Sequence, residues 1–354
     1  MNKIRKYETG VLVLALLCML SGCGSTSPDE PSAVSSPRQS DIEESSDTSS
    51  VESPEASTPQ QPDIEESPVT DFEYKYDADT QGVMITSYKG TSIKVRIPDK
   101  IDDEPVTAIG SRAFEKSGIM RVYMPDTVKV IDIAAFSGCA GLTDIAIPDS
   151  VTEIGSGAFK KCEGLTSVEI PNGVTEIGGG AFEECTSLTS VGIPDSVTVI
   201  GKSAFEGCTS LTSVEIPNGV TKIEFNTFSG CTSLTSVGIP DSITSIGESA
   251  FWNCTSLSSI EIPSSVTVIG RSAFRYCTSL TSIEIPSSVT RIGESAFCGC
   301  TYLTSVEIPD SVSVTIFAFE HCPSLSDEAK ERILQLDPND YISGDDDWEE
   351  HWNE

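Results

Sequence analysis

Histidine, tryptophan and basic side chains are the scarce components of this 354-residue chain: two histidines, three tryptophans, and 22 lysines and arginines against 54 acidic residues. The resulting formal charge of −32 repels a phosphate backbone or an anionic headgroup at most approaches, which excludes nucleic acid as a partner. One histidine, His351, sits in the acidic stretch Asp345-Asp346-Asp347-Trp348-Glu349-Glu350, and no pairing of nucleophile and base stands out anywhere. No catalytic residue is therefore assigned, and an enzyme or a solute receptor lacks the residues to support it. Long apolar runs are missing too. The stretch Val11 to Leu20 is ten residues, against the roughly 20 that a spanning helix needs.

That short run has another use. Lys3, Arg5 and Lys6 precede it, and the small residues Ser21 and Gly22 follow, the layout of an export signal over residues 1–22. Leu20-Ser21-Gly22-Cys23 resembles a bacterial lipobox, which implies that the Cys23 thiol receives a diacylglycerol and becomes the mature amino terminus. The expected location is then the extracellular face of the cell membrane, lipid-anchored at Cys23; two acyl chains suffice, at about 0.8 kcal/mol per buried methylene. An ordinary signal peptide with a coincidental cysteine would instead leave the protein free outside the cell. Residues 23–70 are Ser, Pro, Glu, Asp and Thr with almost no aliphatic content, and cannot bury enough to fold. They read as a tether of roughly 35–40 Å, extended further by proline and like charge.

From Ile109 onward one phrase recurs: Ile-Gly-x-x-Ala-Phe-x-x-Cys-x-x-Leu-Thr-Ser-Val-x-Ile-Pro-x-x-Val-Thr. Phenylalanine falls at 114, 136, 159, 182, 205, 228, 251, 274, 297 and 319, steps of 23 with single-residue slips at both ends. A period between 20 and 29 with alternating Leu, Val and Ile predicts a leucine-rich-repeat solenoid of the α/β class, a horseshoe of about ten repeats over 106–325. In Leu188-Thr189-Ser190-Val191-Gly192-Ile193-Pro194 the apolar residues point inward along one short parallel strand, and the proline ends it by removing a ladder donor. Val197 and Ile200 return the chain across the other side, and Ala204, Phe205 and Cys208 suit a short helical or 3₁₀ turn. The pattern also repeats at twice the period: Ser167-Val168-Glu169-Ile170-Pro171-Asn172-Gly173 returns at 213–219, as if pairs of repeats had been copied. Glu224 replaces the glycine of Gly155, Gly178, Gly201 and Gly247, so that position need not have positive φ, and its coil is expected to be the irregular one.

The Ala-Phe-x-x-Cys-x-x-Leu core at this period resembles the BspA-like leucine-rich repeat proteins over about residues 72–325. The resemblance implies a bacterial surface protein, often adhesive toward host matrix or other cells, with no catalytic residues to carry over. Residues 71–105 resemble the family's amino-terminal cap. At the other end, 326–354 read as a capping helix and acidic tail, with Asp327 and Glu328 in the first turn and Ile333, Leu334 and Leu336 available to cover the last coil.

Nine of the twelve cysteines, Cys139 through Cys300 and then Cys322, share one column. Stacking would hold their β carbons about 4.8 Å apart, whereas a disulfide wants about 3.8 Å, so buried free thiols are expected, with an end pair such as Cys300 and Cys322 the place where a bridge could form. Cys298, Cys300, His321 and Cys322 have zinc-like composition, but the column already accounts for two of them, and no metal or other cofactor is assigned. The residue between Val and Ile of each strand faces outward, and the column reads Tyr123, Ala146, Glu169, Gly192, Glu215, Gly238, Glu261, Glu284 and Glu307. Two readings fit: a row facing calcium or a Lys/Arg-rich protein segment, or solvated glutamates kept by repeat copying. Export, anchor, tether and an extended surface together predict a module that binds proteins or glycans on host or neighbouring cells. The other reading is a spacer of the envelope with no specific ligand.

Overall fold

The computed structural model describes residues 65–315 and 317–336; the expected export signal, Cys23, most of the tether and the acidic tail lie outside them. Most 23-residue coils carry two short parallel strands where the periodicity suggested one; the coil of Ser259-Ile260-Glu261 lacks the first of them. A front ribbon is built from Ser167–Glu169 and its equivalents, and a second ribbon from Glu176–Ile177 and its equivalents, whose only two residues are too few to show a period of two. Register follows the repeat: Ser167 pairs with Ser190, Val168 with Val191 and Glu169 with Gly192.

The stretch from Gly201 to Cys208 is the clearest departure from expectation. It is a chain of turns, and the α/β description holds only in part: among the described residues, the helices are Val69–Asp71, a 3₁₀ turn, and Asp327–Leu336. Two left-handed residues per coil, such as Ser203 (φ 58°) and Gly207 (φ 72°), make successive N–H groups alternate in direction. The amides of Ser203, Phe205 and Gly207 donate to Phe225, Thr227 and Ser229 of the next coil at 2.9, 3.0 and 2.7 Å. Those of Ala204, Glu206 and Cys208 donate back within their own coil at 3.2, 3.1 and 3.2 Å. A helix would turn every amide along its own axis, leaving none for the neighbouring coil, so stacking prevails over helix formation here.

Inside, the ten phenylalanines form one column, each at most 1% exposed, with successive ring centroids 5.0–5.7 Å apart and planes within 19° of parallel. Centroid spacings slightly wider than the roughly 4.8 Å between strands mean that the rings are offset, the arrangement their quadrupoles favour. Beside it runs the cysteine column. All ten cysteines from Cys139 to Cys322 are free and buried, and each column thiol donates to the carbonyl of the phenylalanine in the coil before, at 3.0–3.3 Å. The end pair is unbridged: Cys300 points to Phe274 and Cys322 to Phe297. Burial drives the thiols from Cys139 to Cys300 upward in pKa, to about 12 for Cys185, Cys231 and Cys277.

The consensus hydroxyls are structural as well. Thr189 and Thr212 donate to the carbonyls of Thr166 and Thr189, at 3.0 and 3.3 Å, and Ser196 and Ser242 to those of Val174 and Val220, at 2.7 and 2.6 Å. Glycine at 155, 178, 201 and 247 has no positive φ, as Glu224 suggested. What it serves is close approach: a Cβ on Gly201 would lie 2.6 Å from the Gly179 nitrogen. The second ribbon divides between Val199–Ile200 and Lys222–Ile223, at the coil where Glu224 brings a side chain into that spacing.

Both ends are covered. Phe72–Asp77 and Gly82–Tyr88 form an antiparallel pair, and Tyr88 extends the ring column, stacked on Phe114 at 5.2 Å. Ordered contacts reach back to Ser67, whose amide donates to Arg96 O at 2.9 Å. At the far end Ser326 caps helix Asp327–Leu336 by accepting from the Ala329 amide at 3.2 Å. Ala329, Ile333 and Leu336, at i, i+4 and i+7, pack on the last coil. Leu334, expected to share in this, is 43% exposed because it lies about 100° round from Ile333.

Candidate functional site

The outward column stands where the sequence places it. Glu169, Glu215, Glu261, Glu284 and Glu307 are exposed and Tyr123 is half-buried, with Val122, Val168, Val214, Ile283 and Val306 turned into the core behind. Among the described residues, none of these five carboxylates takes part in an ion pair. Glu284 is paired directly opposite Glu307, and Tyr123 opposite Ala146.

Between residues 167 and 238 the column is not a uniform acidic ladder. The front strands are laddered two by two, Ser167–Glu169 with Ser190–Gly192 and Ser213–Glu215 with Ser236–Gly238, matching the 46-residue copying seen in the sequence, with the Thr212 amide donating to Thr189 O between the pairs at 3.3 Å. In each pair the glutamate of the first coil lies over the glycine of the second. A Cβ on Gly192 or Gly238 would overlap the carboxylate of Glu169 or Glu215.

Without a side chain at Gly192 the face is indented. A concavity of about 400 Å³ opens there, floored by Ile147, Ile170 and Ile193, edged by Pro171 and Pro194, and bearing the polar groups of Asp149, Glu169 and Asn172. Its lining holds two carboxylates and no cation. The same residue types recur 46 positions on, at Ile193, Asp195, Glu215, Ile216, Pro217, Asn218, Gly238, Ile239 and Pro240. Val191, Ile193, Val237 and Ile239 are only partly buried, whereas Val168, Ile170, Val214 and Ile216 are at most 6% exposed. Apolar surface therefore shows at the glycine coils, and charge at the glutamate coils.

Glu169 and Glu215, named from the sequence, are exposed at this concavity and its repeat, whereas Ile147, Asp149, Asn172 and Ile193 were missed. The two-coil repetition was the signal that could have found them. It also missed an aromatic edge elsewhere: Trp252 meets Tyr276 edge-on at 6.3 Å, and the Arg275 guanidinium lies 4.8 Å over the Tyr276 ring. The zinc-like quartet is not drawn together. Cys300 and Cys322 donate to backbone, Cys298 lies 3.8 Å from a Glu320 oxygen, and His321 faces Glu320 at 3.5 Å. Among the described residues no group of three or more His, Cys, Asp or Glu side chains is arranged to hold a metal ion.

The geometry is that of a repeated scaffold with a recessed acidic face, and comparison with known proteins identifies the scaffold. The family model for the BspA type leucine rich repeat region matches residues 107–231 and 198–326 in six copies. The chain belongs to that family. BspA-type leucine-rich repeat proteins are non-enzymatic repeat scaffolds, generally surface-associated and protein-binding. Among solved structures, a leucine rich repeat protein of T. pallidum is 26% identical, over 79% of this chain and 99% of that one, with a TM-score of 0.48. A leucine rich cell surface protein from Faecalibacterium prausnitzii is 33% identical, over 72% and 92%, with a TM-score of 0.38. The pneumococcal vaccine antigen PcpA is 17% identical, over 69% and 70%, with a TM-score of 0.46. No curated protein matches the chain. Among the described residues, no helix is long and apolar enough to cross a membrane.

Proposed function

We propose that this BspA-type protein is an adhesive module, lipid-anchored at Cys23 on the outer face of the cell membrane, that binds basic segments of proteins on host or neighbouring cells through its front ribbon. The observation that carries this reading is the column of five exposed glutamates without ion-pair partners. Carboxylates held at strand spacing repel one another, and a cationic partner lying across them relieves that repulsion while steering encounter. Of the two cationic partners expected for the row, a basic segment suits it better than calcium, because a hard divalent ion wants six to eight oxygens gathered on one centre and the column spreads its carboxylates along a line.

Binding of a lysine-rich peptide to the full chain, followed by calorimetry at low and physiological salt, tests this. Replacing Glu169, Glu215, Glu261, Glu284 and Glu307 with glutamine is expected to weaken binding by about tenfold, since five exposed pairs at about 0.2–1 kcal/mol each sum to about 1–5 kcal/mol, a range that spans the 1.4 kcal/mol of a factor of ten. Unchanged affinity would reject the acidic face as the binding surface and leave the spacer role. For the anchor, Cys23→Ser is expected to abolish incorporation of labelled fatty acid in the producing cells; retained label would remove Cys23 as the attachment point.

A further inference from the structure

The front face carries two copies of one cell, and the distance between them selects a partner conformation. We infer that the face between Ile147 and Asp241 is a docking groove for a polyproline-II segment with a basic side chain at every third residue. This rests on the basic-segment reading above and narrows it to one backbone geometry.

The argument starts from the recesses. Gly192 and Gly238 each lie under the carboxylate of the glutamate one coil before, beside partly exposed isoleucine, and at the first an open concavity of about 400 Å³ is edged by proline. Asp149 and Glu169 supply the negative charge of the first cell; Asp195 and Glu215 stand at the equivalent positions of the second. Each cell thus offers apolar contact for the methylene stem of a lysine or arginine and carboxylates for its head, the two halves of an amphipathic cation. A uniform acidic surface would attract the charge but give the stem nowhere to lie.

Spacing then separates the candidate backbones. Cells two coils apart lie about 9.6 Å apart, twice the strand spacing. A polyproline-II helix advances about 9.3 Å per three-residue turn, so side chains three apart project in the same direction at nearly the cell repeat. An extended strand brings same-face side chains round every 6.6–6.8 Å or so, which falls out of step at the second cell. An α-helix, about 10–12 Å across, is too thick to settle into a recess of this volume. A polyproline-II segment also loses little conformational freedom on docking, and two seated cations bind as a linked pair.

The test uses the full chain and synthetic peptides of equal charge: lysine at every third residue in a polyproline background, lysine at every second residue in the same background, and a helical peptide with lysine at every seventh. The three-residue spacing is expected to bind about tenfold more tightly than the other two. Equal affinity for all three would overturn the inference while sparing the acidic-face reading; no binding by any would overturn both. A second measurement reads the recesses directly. Gly192→Glu with Gly238→Glu adds two negative charges yet fills both recesses, and the fold accommodates glutamates on adjacent coils, as Glu284 and Glu307 show. Loss of about tenfold in affinity for the three-residue peptide is expected despite the added charge. Tighter binding by this variant would show that charge alone governs the face, and would overturn the groove.

Discussion

Raising the pH from 8 to 10 is expected to remove several kcal/mol of the stability of the array. Cys139 through Cys300, eight members of one column, all have thiol pKa values raised above the ordinary 9.0, with burial the first cause in each. A thiolate in that column would sit among phenylalanine rings with only a carbonyl beside it, so the folded state holds its protons to about pH 12 at Cys185, Cys231 and Cys277. The unfolded chain releases its protons near pH 9. The stabilisation is therefore intact below pH 9 and falls as the pH climbs from 9 toward 12, by roughly 1 kcal/mol at pH 10 for each of these three thiols. Urea unfolding at pH 8, 9 and 10 measures the loss. With Cys185, Cys231 and Cys277 replaced by alanine, the chain should be weaker at pH 8 but show a shallower loss of stability between pH 8 and 10. A stability flat through pH 10 would mean that the thiols are not enclosed as described.

Phe205→Ala is expected to cost about 3–5 kcal/mol and to split a single unfolding transition into two. Phe205 has a ring neighbour on either side, Phe182 at 5.5 Å and Phe228 at 5.7 Å, both within 3° of parallel. Coils in a solenoid are coupled to their nearest neighbours alone, so a cavity in mid-column weakens two interfaces and lets the halves on either side melt separately. The coil that follows it already carries the Glu224 irregularity and the break in the second ribbon, which makes this the natural place to divide. Phe319→Ala should behave differently, because its one ring neighbour is Phe297 at 5.1 Å; the end coil frays and the rest unfolds as before. Circular dichroism and tryptophan fluorescence during denaturation distinguish the outcomes, Trp252 reporting from the carboxy-terminal half. A single unshifted transition in Phe205→Ala would contradict nearest-neighbour coupling through the ring column.

Much of this was legible in the sequence because repetition averages out ambiguity. One Phe-x-x-Cys step says little, but ten phenylalanines at one period can share a column only if coils stack, and the enclosed free thiols follow. What was hidden depends on backbone direction. Val199–Ile200 is too short a strand to show alternation, and the left-handed residues that turn amides toward the next coil include Lys161, Glu184, Ser203 and Tyr276, types that do not advertise positive φ. Threonine and serine at fixed positions read as solvated filler until their hydroxyls are seen spanning coils. The recesses were missed for a related reason: a glycine in an acidic column looks like a gap in the ladder, and only the carboxylate of Glu169 folded over Gly192 shows that the gap has a shape.

The register of the coils, on which the columns, the paired front strands and the recesses all depend, is accessible to one distance. Spin labels placed at Ser167→Cys and Ser305→Cys, in a chain whose Cys18 and Cys23 are serine, sit at the same exposed position of the front ribbon six coils apart. The buried native thiols should stay unlabelled under native conditions. Pulsed electron paramagnetic resonance should then give one narrow distribution near 29 Å, six strand spacings of about 4.8 Å. A broad distribution, or a centre displaced by a coil or more, would contradict in-register stacking.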